Sequence, residues 1–301
     1  MKNVLFTGVC TALVTPFLDG KVNYPMLEML LKRQLQAGVK AVVLAGTTGE
    51  APTLSDDEKL ELFRRGKAYV GDKTLLIAGT GSNDTAHAVS LGLAAQQTGV
   101  DGLLVVSPYY NKATPSGLIA HYQAIAEAVD LPIIVYNVPS RTGVDIPVEV
   151  YRALSQIPNI AGVKEASTAI TKFAKIAAAC GSDLPIWSGN DDMIAPTMAL
   201  GAKGVISVLS NVAPLQTRYL AEAALGGDFD TAAALQCQMM ELIDLLFCEV
   251  NPIPVKAAMK LLGYDCGPCR LPLTDLKTEN LQKLQKILGV SKVTYRTIDV
   301  D

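Results

Sequence analysis

Eight short apolar runs, each followed by a helix-like stretch, constrain this chain more than any other feature. They are GVCTALV (8–14), VKAVVLAG (39–46), KTLLIAG (73–79), DGLLVVSP (101–108), LPIIVYNVP (131–139), NIAGVKE (159–165), LPIWSG (184–189) and KGVISVLS (203–210). Most are continuously apolar rather than alternating. Strands covered on both faces need that composition, because neither face meets water. The intervening stretches carry helix signals. Ser55 and Glu58 have capping-box spacing ahead of Leu60, Phe63 and Val70. Asn83, Asp84 or Thr85 can cap a helix running toward Gln97, with Gly99 as its stop. Pro147 suits a first helical turn, and Asp191 or Asp192 can open a helix closed by Gly201.

The strand-to-strand spacing starts at about 30 residues and shortens along the chain. Eight such units predict an α/β fold, a (β/α)8 TIM barrel. An open doubly wound sheet competes with it. Its usual G-x-G-x-x-G fingerprint is missing, since VTPFLDGKV follows the first strand and GTGSND after the third lacks the last glycine. Past GGDFD (226–230) only helical patterns remain: Leu235, Met239, Leu242 and Leu246 at helical spacing, then 253–262 and 278–288. The expected organisation is a catalytic barrel over 1–225 and a C-terminal helical appendage over 226–301.

Composition removes several classes of function. The 301 residues carry a net charge of −3 without any basic run, which argues against nucleic-acid or membrane-surface partners. No apolar run approaches the ~18 residues that would span a bilayer. The opening MKNVLFTGVCTALVTPF lacks the apolar core of a signal peptide, so a cytoplasmic protein is expected. Cys10, Cys180, Cys237, Cys248, Cys266 and Cys269 are scattered, against a disulfide scaffold. CGPC (266–269) has the spacing of a redox dithiol, but RLPLTDL follows where such a dithiol needs a helix, so two reduced loop cysteines are expected. His87 and His121, the only histidines, fall in helix patterns, which leaves no His triad or His-ligated metal. No metal and no cofactor is expected.

In a (β/α)8 barrel, the C-terminal strand ends face the active site. They present Thr47 and Thr48 (strand two), Tyr109 and Tyr110 (four), Tyr136 and Arg141 (five), Lys164 (six) and the SGNDD turn (seven). A lysine, tyrosines and hydroxyls suit Schiff-base chemistry. A neutral amine attacks a ketone, and the iminium then withdraws electrons from the adjacent carbon. Burial in an apolar barrel disfavours a charged lysine, which suits this role better than an arginine would. Tyr136 and a threonine hydroxyl could shuttle the protons, and Arg141 could hold a carboxylate. Plain structural readings stand beside each of these. Lys164 could snorkel to solvent, Tyr136 and Tyr110 could pack, Thr47 and Thr48 could cap a turn, and Arg141 could make a surface ion pair. Asp191 and Asp192 read as helix caps.

GTTGE (46–50), PYYN (108–111), YNVPSRTG (136–143), GVKEAS (162–167), NPIPVK (251–256) and RLPLT (270–274), in this order, resemble the dihydrodipicolinate synthase family. It belongs to the class I aldolase superfamily that includes N-acetylneuraminate lyase. The resemblance covers essentially the whole chain. It implies that Lys164 forms a Schiff base with pyruvate and that Tyr136, Thr48 and Tyr110 relay protons, Tyr110 reaching into a neighbouring subunit's site. Thr47 and Thr48 would contact the pyruvate carboxylate, Arg141 the carboxylate of aspartate 4-semialdehyde, and Gly189 and Ile206 would line the pocket through backbone groups. The product would enter lysine and diaminopimelate biosynthesis, and the protein would be a homotetramer built as a dimer of dimers. The alternatives are a retro-aldol lyase of sugar acids, against which stands Arg141, and a barrel without catalysis, against which stands the intact set of Lys164, Tyr136, Thr48, Tyr110 and Arg141.

Feedback-sensitive members of the family bind lysine at the dimer interface through an asparagine, a tyrosine, histidines and a glutamate. Asn83 and Tyr109 match that set, but Asp56 and Lys59 stand at the histidines and His87 at the glutamate. The resemblance therefore implies weak or absent inhibition by lysine.

Overall fold

The apolar runs become eight parallel strands, each lying inside the stretch that its sequence marked. In the computed structural model, which describes residues 2–290, they are β1 (Gly8–Ala12), β2 (Ala41–Leu44), β3 (Leu75–Gly79), β4 (Gly102–Val106), β5 (Ile133–Asn137), β6 (Ile160–Glu165), β7 (Ile186–Ser188) and β8 (Gly204–Ser207). Each pairs with the next, and β8 pairs back to β1 through Gly8 opposite Gly204 and Cys10 opposite Ile206. The result is a closed (β/α)8 barrel with no open sheet edge. A short antiparallel hairpin, Phe17–Leu18 with Lys21–Val22, follows β1.

The longer helices that follow the strands are α1 (Tyr24–Gln36), α2 (Asp56–Val70), α3 (Thr85–Gln96), α4 (Pro115–Ala128), α5 (Val148–Leu154), α6 (Ile170–Cys180), α7 (Ile194–Ala199) and α8 (Pro214–Leu225). The capping box forms as spelled: Glu58 N donates to Ser55 Oγ (3.2 Å), and Ser55 N donates to Glu58 Oε2 (3.0 Å). Asp84 caps α3 by accepting from Ala86 N. Asp191 acts differently from expectation. It does not cap its own helix, since α7 has no side-chain cap. Instead its Oδ2 accepts from Val208 N and Leu209 N at 2.9 and 2.8 Å, tying the β7 end to the turn after β8.

Side chains alternate between two cores, as strands require. Cys10, Ala41, Val43, Ile77, Leu104, Ile134, Trp187 and Ile206 fill the barrel. Phe6 stacks on Trp187 with ring centroids 4.7 Å apart, and Trp187 Nε1 donates to Phe6 O. Outward residues such as Val42, Leu76 and Val135 share one outer core with Leu27, Leu62 and Phe63 of the surrounding helices. Removing a side chain like Phe63 from such a core costs about 3–5 kcal/mol.

Within the region expected as a helical appendage lie α9 (Phe229–Leu246), α10 (Ile253–Leu261) and α11 (Thr278–Val290); its residues 291–301 are outside the described ones. Met239, Leu242, Val255, Met259 and Leu284 join the same outer core as the barrel strands. Among the described residues, no helix is long and apolar enough to cross a membrane.

Candidate active site

Register decides which side chains meet. Tyr136 of β5 stands directly opposite Lys164 of β6. Paired positions on parallel strands point to the same face, and here that face is the barrel interior. Lys164 is only 5% exposed, and its Nζ lies 4.3 Å from the centre of the Tyr136 ring. Among the described residues, no carboxylate or hydrogen-bond acceptor holds that amine. On its other side Lys164 pairs with Trp187, which is fully buried. Gly189 clears the path of the lysine chain. A Cβ there would meet Lys164 Cε at 3.1 Å and Ala166 Cβ at 2.6 Å. Gly189 N donates to Glu165 O at 2.7 Å, which fixes that close approach.

The GTTGE loop after β2 is bent by Ala45 and Glu50, both at positive φ (50° and 57°). It buries Thr48 and leaves Thr47 half-buried. The Thr48 hydroxyl accepts from Asn251 Nδ2 at 3.0 Å. Asn251 O in turn accepts from Arg141 Nη2 at 3.2 Å. Arg141 itself sits exposed on the helical turn Pro139–Thr142 that follows β5. Below the loop, Glu50 and Lys256 of α10 form a buried ion pair at 2.9 Å. Lys256 Nζ also donates to Thr15 O and Pro268 O, and Arg270 N donates to the second Glu50 oxygen.

A cavity of about 490 Å³ opens over this arrangement. Thr47, Tyr109, Tyr136 and Arg141 line it, together with Asp56, Lys59 and His87. Lys164, Thr48 and Ile206 are buried and Gly189 half-buried, and none of the four is among the lining residues. Tyr110 lies apart from these residues: it is 89% exposed, at φ 72°, and does not line the cavity of its own chain. In the cavity lining, His87 Nε2 and Lys59 Nζ reach the two Asp56 oxygens at 2.7 and 3.2 Å. Burial pulls the Asp56 carboxyl upward, but His87 and Lys59 outweigh it and hold it below the usual carboxylate range. The CGPC segment is irregular loop, and burial pushes both thiols, Cys266 and Cys269, up to about 12. That is the opposite of an activated redox dithiol.

Asn251, Glu50 and Lys256 were not singled out from sequence as site residues. Glu50 and Lys256 end the GTTGE and NPIPVK motifs, and a charged residue closing an otherwise uncharged motif is the signal that could have marked them.

A family profile described as the dihydrodipicolinate synthetase family matches residues 5–290. The chain belongs to this family. It is an enzyme of the family's class I aldolase type, a lyase. A family member from Caldicellulosiruptor saccharolyticus, described as 4-hydroxy-tetrahydrodipicolinate synthase, is 48% identical over 285 residues, covering 94% of this chain and 96% of the relative. Among solved family structures, the chloride-inhibited dihydrodipicolinate synthase of Acinetobacter baumannii, complexed with pyruvate, superimposes with a TM-score of 0.93 at 40% identity, covering 94% of this chain and 98% of that one. A dihydrodipicolinate synthase variant described as monomeric also gives 0.93 at 40% identity, covering 95% and 96% of the two chains.

Proposed function

We propose that this family member catalyses 4-hydroxy-tetrahydrodipicolinate synthesis, condensing pyruvate with aspartate 4-semialdehyde through a Schiff base on Lys164. The observation that carries the reading is the in-register pair of Lys164 and Tyr136, amine over ring, inside a barrel mouth. The amine nitrogen of Lys164 attacks the pyruvate ketone. The carbinolamine then loses water, for which Tyr136 passes a proton, with Thr48 as its hydroxyl partner. The iminium withdraws electrons, so the adjacent methyl carbon loses a proton and becomes a nucleophile toward the aldehyde. The amino group of the semialdehyde next displaces Lys164, which closes a six-membered ring and frees the enzyme.

Thr47 and Thr48 would hold the pyruvate carboxylate, with Gly189 and Ile206 offering backbone groups. Arg141 at the cavity wall would bind the carboxylate of the second substrate, a task for which its fork suits better than a lysine. Tyr110, exposed on its own chain, would complete the relay in a neighbouring copy, so that the working enzyme is a homo-oligomer, a dimer of dimers. We place the protein in the cytoplasm, within lysine and diaminopimelate biosynthesis.

Borohydride reduction in the presence of pyruvate, followed by peptide mapping, tests the mechanism. The expected adduct is on Lys164, and an adduct on another lysine, or none, would refute it. A coupled assay with aspartate semialdehyde against N-acetylmannosamine tests the substrate class, with turnover expected only for the former.

A further inference from the structure

Strand alternation places the residues after Tyr136 and Lys164, namely Asn137 and Glu165, on the opposite face of the wall. Both are fully buried beneath α5 and α6, and they too stand opposite each other in register. A buried carboxylate must be satisfied by donors. Glu165 has several: Oε1 accepts from Asn137 Nδ2 and Ser167 N, both at 2.8 Å, and Oε2 accepts from Tyr151 OH at 2.7 Å. Among the described residues, no lysine or arginine bonds to it, and the nearby Lys172 is engaged with Asp145. Burial first, then the Glu165 charge, pushes the Tyr151 phenol well above its usual value, so it remains a donor. Asn137 is committed as well, since Oδ1 accepts from Ile146 N at 3.1 Å.

This bonded pair sits just past an irregularity. Ile133 pairs with Ile160, but Ile134 pairs with Gly162, so β6 carries one extra residue. A bulge re-aims the side chains beyond it, and a strand's facing depends on register. Beyond the bulge the ladder runs through the pairs Ile134 with Gly162 and Val135 with Val163 to Tyr136 and Lys164, and Asn137 and Glu165 are the last pair, adding a side-chain bond where the strands end.

We propose that Glu165 is a positioning residue for the reaction, bonding Asn137 across the outer face of the wall and thereby fixing Lys164 beside Tyr136 on the inner face. The inference rests on the proposed Schiff-base role of Lys164. Carbinolamine formation needs amine and proton donor aligned, and a misplacement near 1 Å can cost about a hundredfold.

The test compares Glu165→Leu, Glu165→Gln and Asn137→Ser. Leucine cannot accept from Asn137. Glutamine still accepts from Asn137 and Ser167, and the Tyr151 hydroxyl can accept from its amide. Asn137→Ser cuts the cross-strand bond but leaves Glu165 its Tyr151 and Ser167 partners, so it carries the test should Glu165→Leu not fold. The readouts are borohydride trapping rate with pyruvate, kcat/KM for pyruvate and KM for the semialdehyde, each per folded protein. Glu165→Leu and Asn137→Ser are expected to slow trapping and lower pyruvate kcat/KM about tenfold or more, with semialdehyde KM within about twofold; Glu165→Gln recovers most of the loss. A purely structural Glu165 would change melting temperature alone. The proposal is overturned by wild-type trapping in a folded Glu165→Leu or Asn137→Ser, or by equal losses in Gln and Leu. Failure of the wild type to trap pyruvate would instead sink the Schiff-base reading itself.

Discussion

Lys164 reaches its place against Tyr136 as a neighbour in the adjoining strand, 4.3 Å from ring centre to amine, rather than through a flexible loop. The phenol can therefore be altered without disturbing the ring. Tyr136→Phe is expected to keep the lysine's packing and its melting temperature while lowering kcat about a hundredfold or more through loss of proton transfer. Steady-state kinetics beside thermal melting checks both halves, and unchanged kcat would remove Tyr136 from the relay.

Gly189→Ala puts a methyl group 3.1 Å from Lys164 Cε and 2.6 Å from Ala166 Cβ. One of these must move. We expect a folded protein with imine trapping slowed about tenfold or more, because the lysine chain is displaced. Trapping at the wild-type rate would show that the wall yields instead.

The Glu50–Lys256 pair is enclosed, with side-chain exposures of 1% and 3%. Lys256→Met should strand the Glu50 carboxylate in the interior and cost about 3–5 kcal/mol in denaturant unfolding. Adding Glu50→Gln should recover part of that loss. A single variant as stable as the wild type would contradict this account.

His121 gives the fold a pH dependence of definite sign. Its Nδ1 bonds to Thr85 Oγ1 at 2.9 Å, its Nε2 finds no partner among the described residues, and burial lowers its pKa from 6.5 to about 4. Below 6.5 the unfolded chain takes up a proton that the folded chain refuses, so stability falls as pH drops from 6.5 toward 4 and the loss then levels off. His121→Gln should lose less melting temperature between pH 7 and pH 5 than the wild type does. Equal losses would point to another group.

In the cavity lining, the Asp56 carboxylate is already shared by Lys59 and His87. A free lysine would have to displace partners already in place and would find a histidine, not a glutamate, for its ammonium. Steady-state assays with added lysine should show weak inhibition or none, and tight inhibition at physiological concentration would refute this.

The strands were legible because two-sided burial leaves a plain mark: IIVYN and IAGVKE read as covered strands and formed within the stretches expected. The capping box of α2 is likewise local, written in four consecutive residues. Asp191, like Asp192, reads locally as a cap for the helix that follows, because its partners Val208 and Leu209 are distant in sequence. Asn251 was passed over for the same reason. Its bond to Thr48 joins positions 203 residues apart, and no periodicity records such a meeting.

That asparagine grips Thr48 with its amide and Arg141 with its carbonyl. The barrel thus shares custody of its mouth with the chain that comes after its last strand. If Thr48 and Arg141 hold the two carboxylates as proposed, a jolt to this one peptide would loosen both grips together, so that two reactants bound by different side chains would rise and fall in affinity as one.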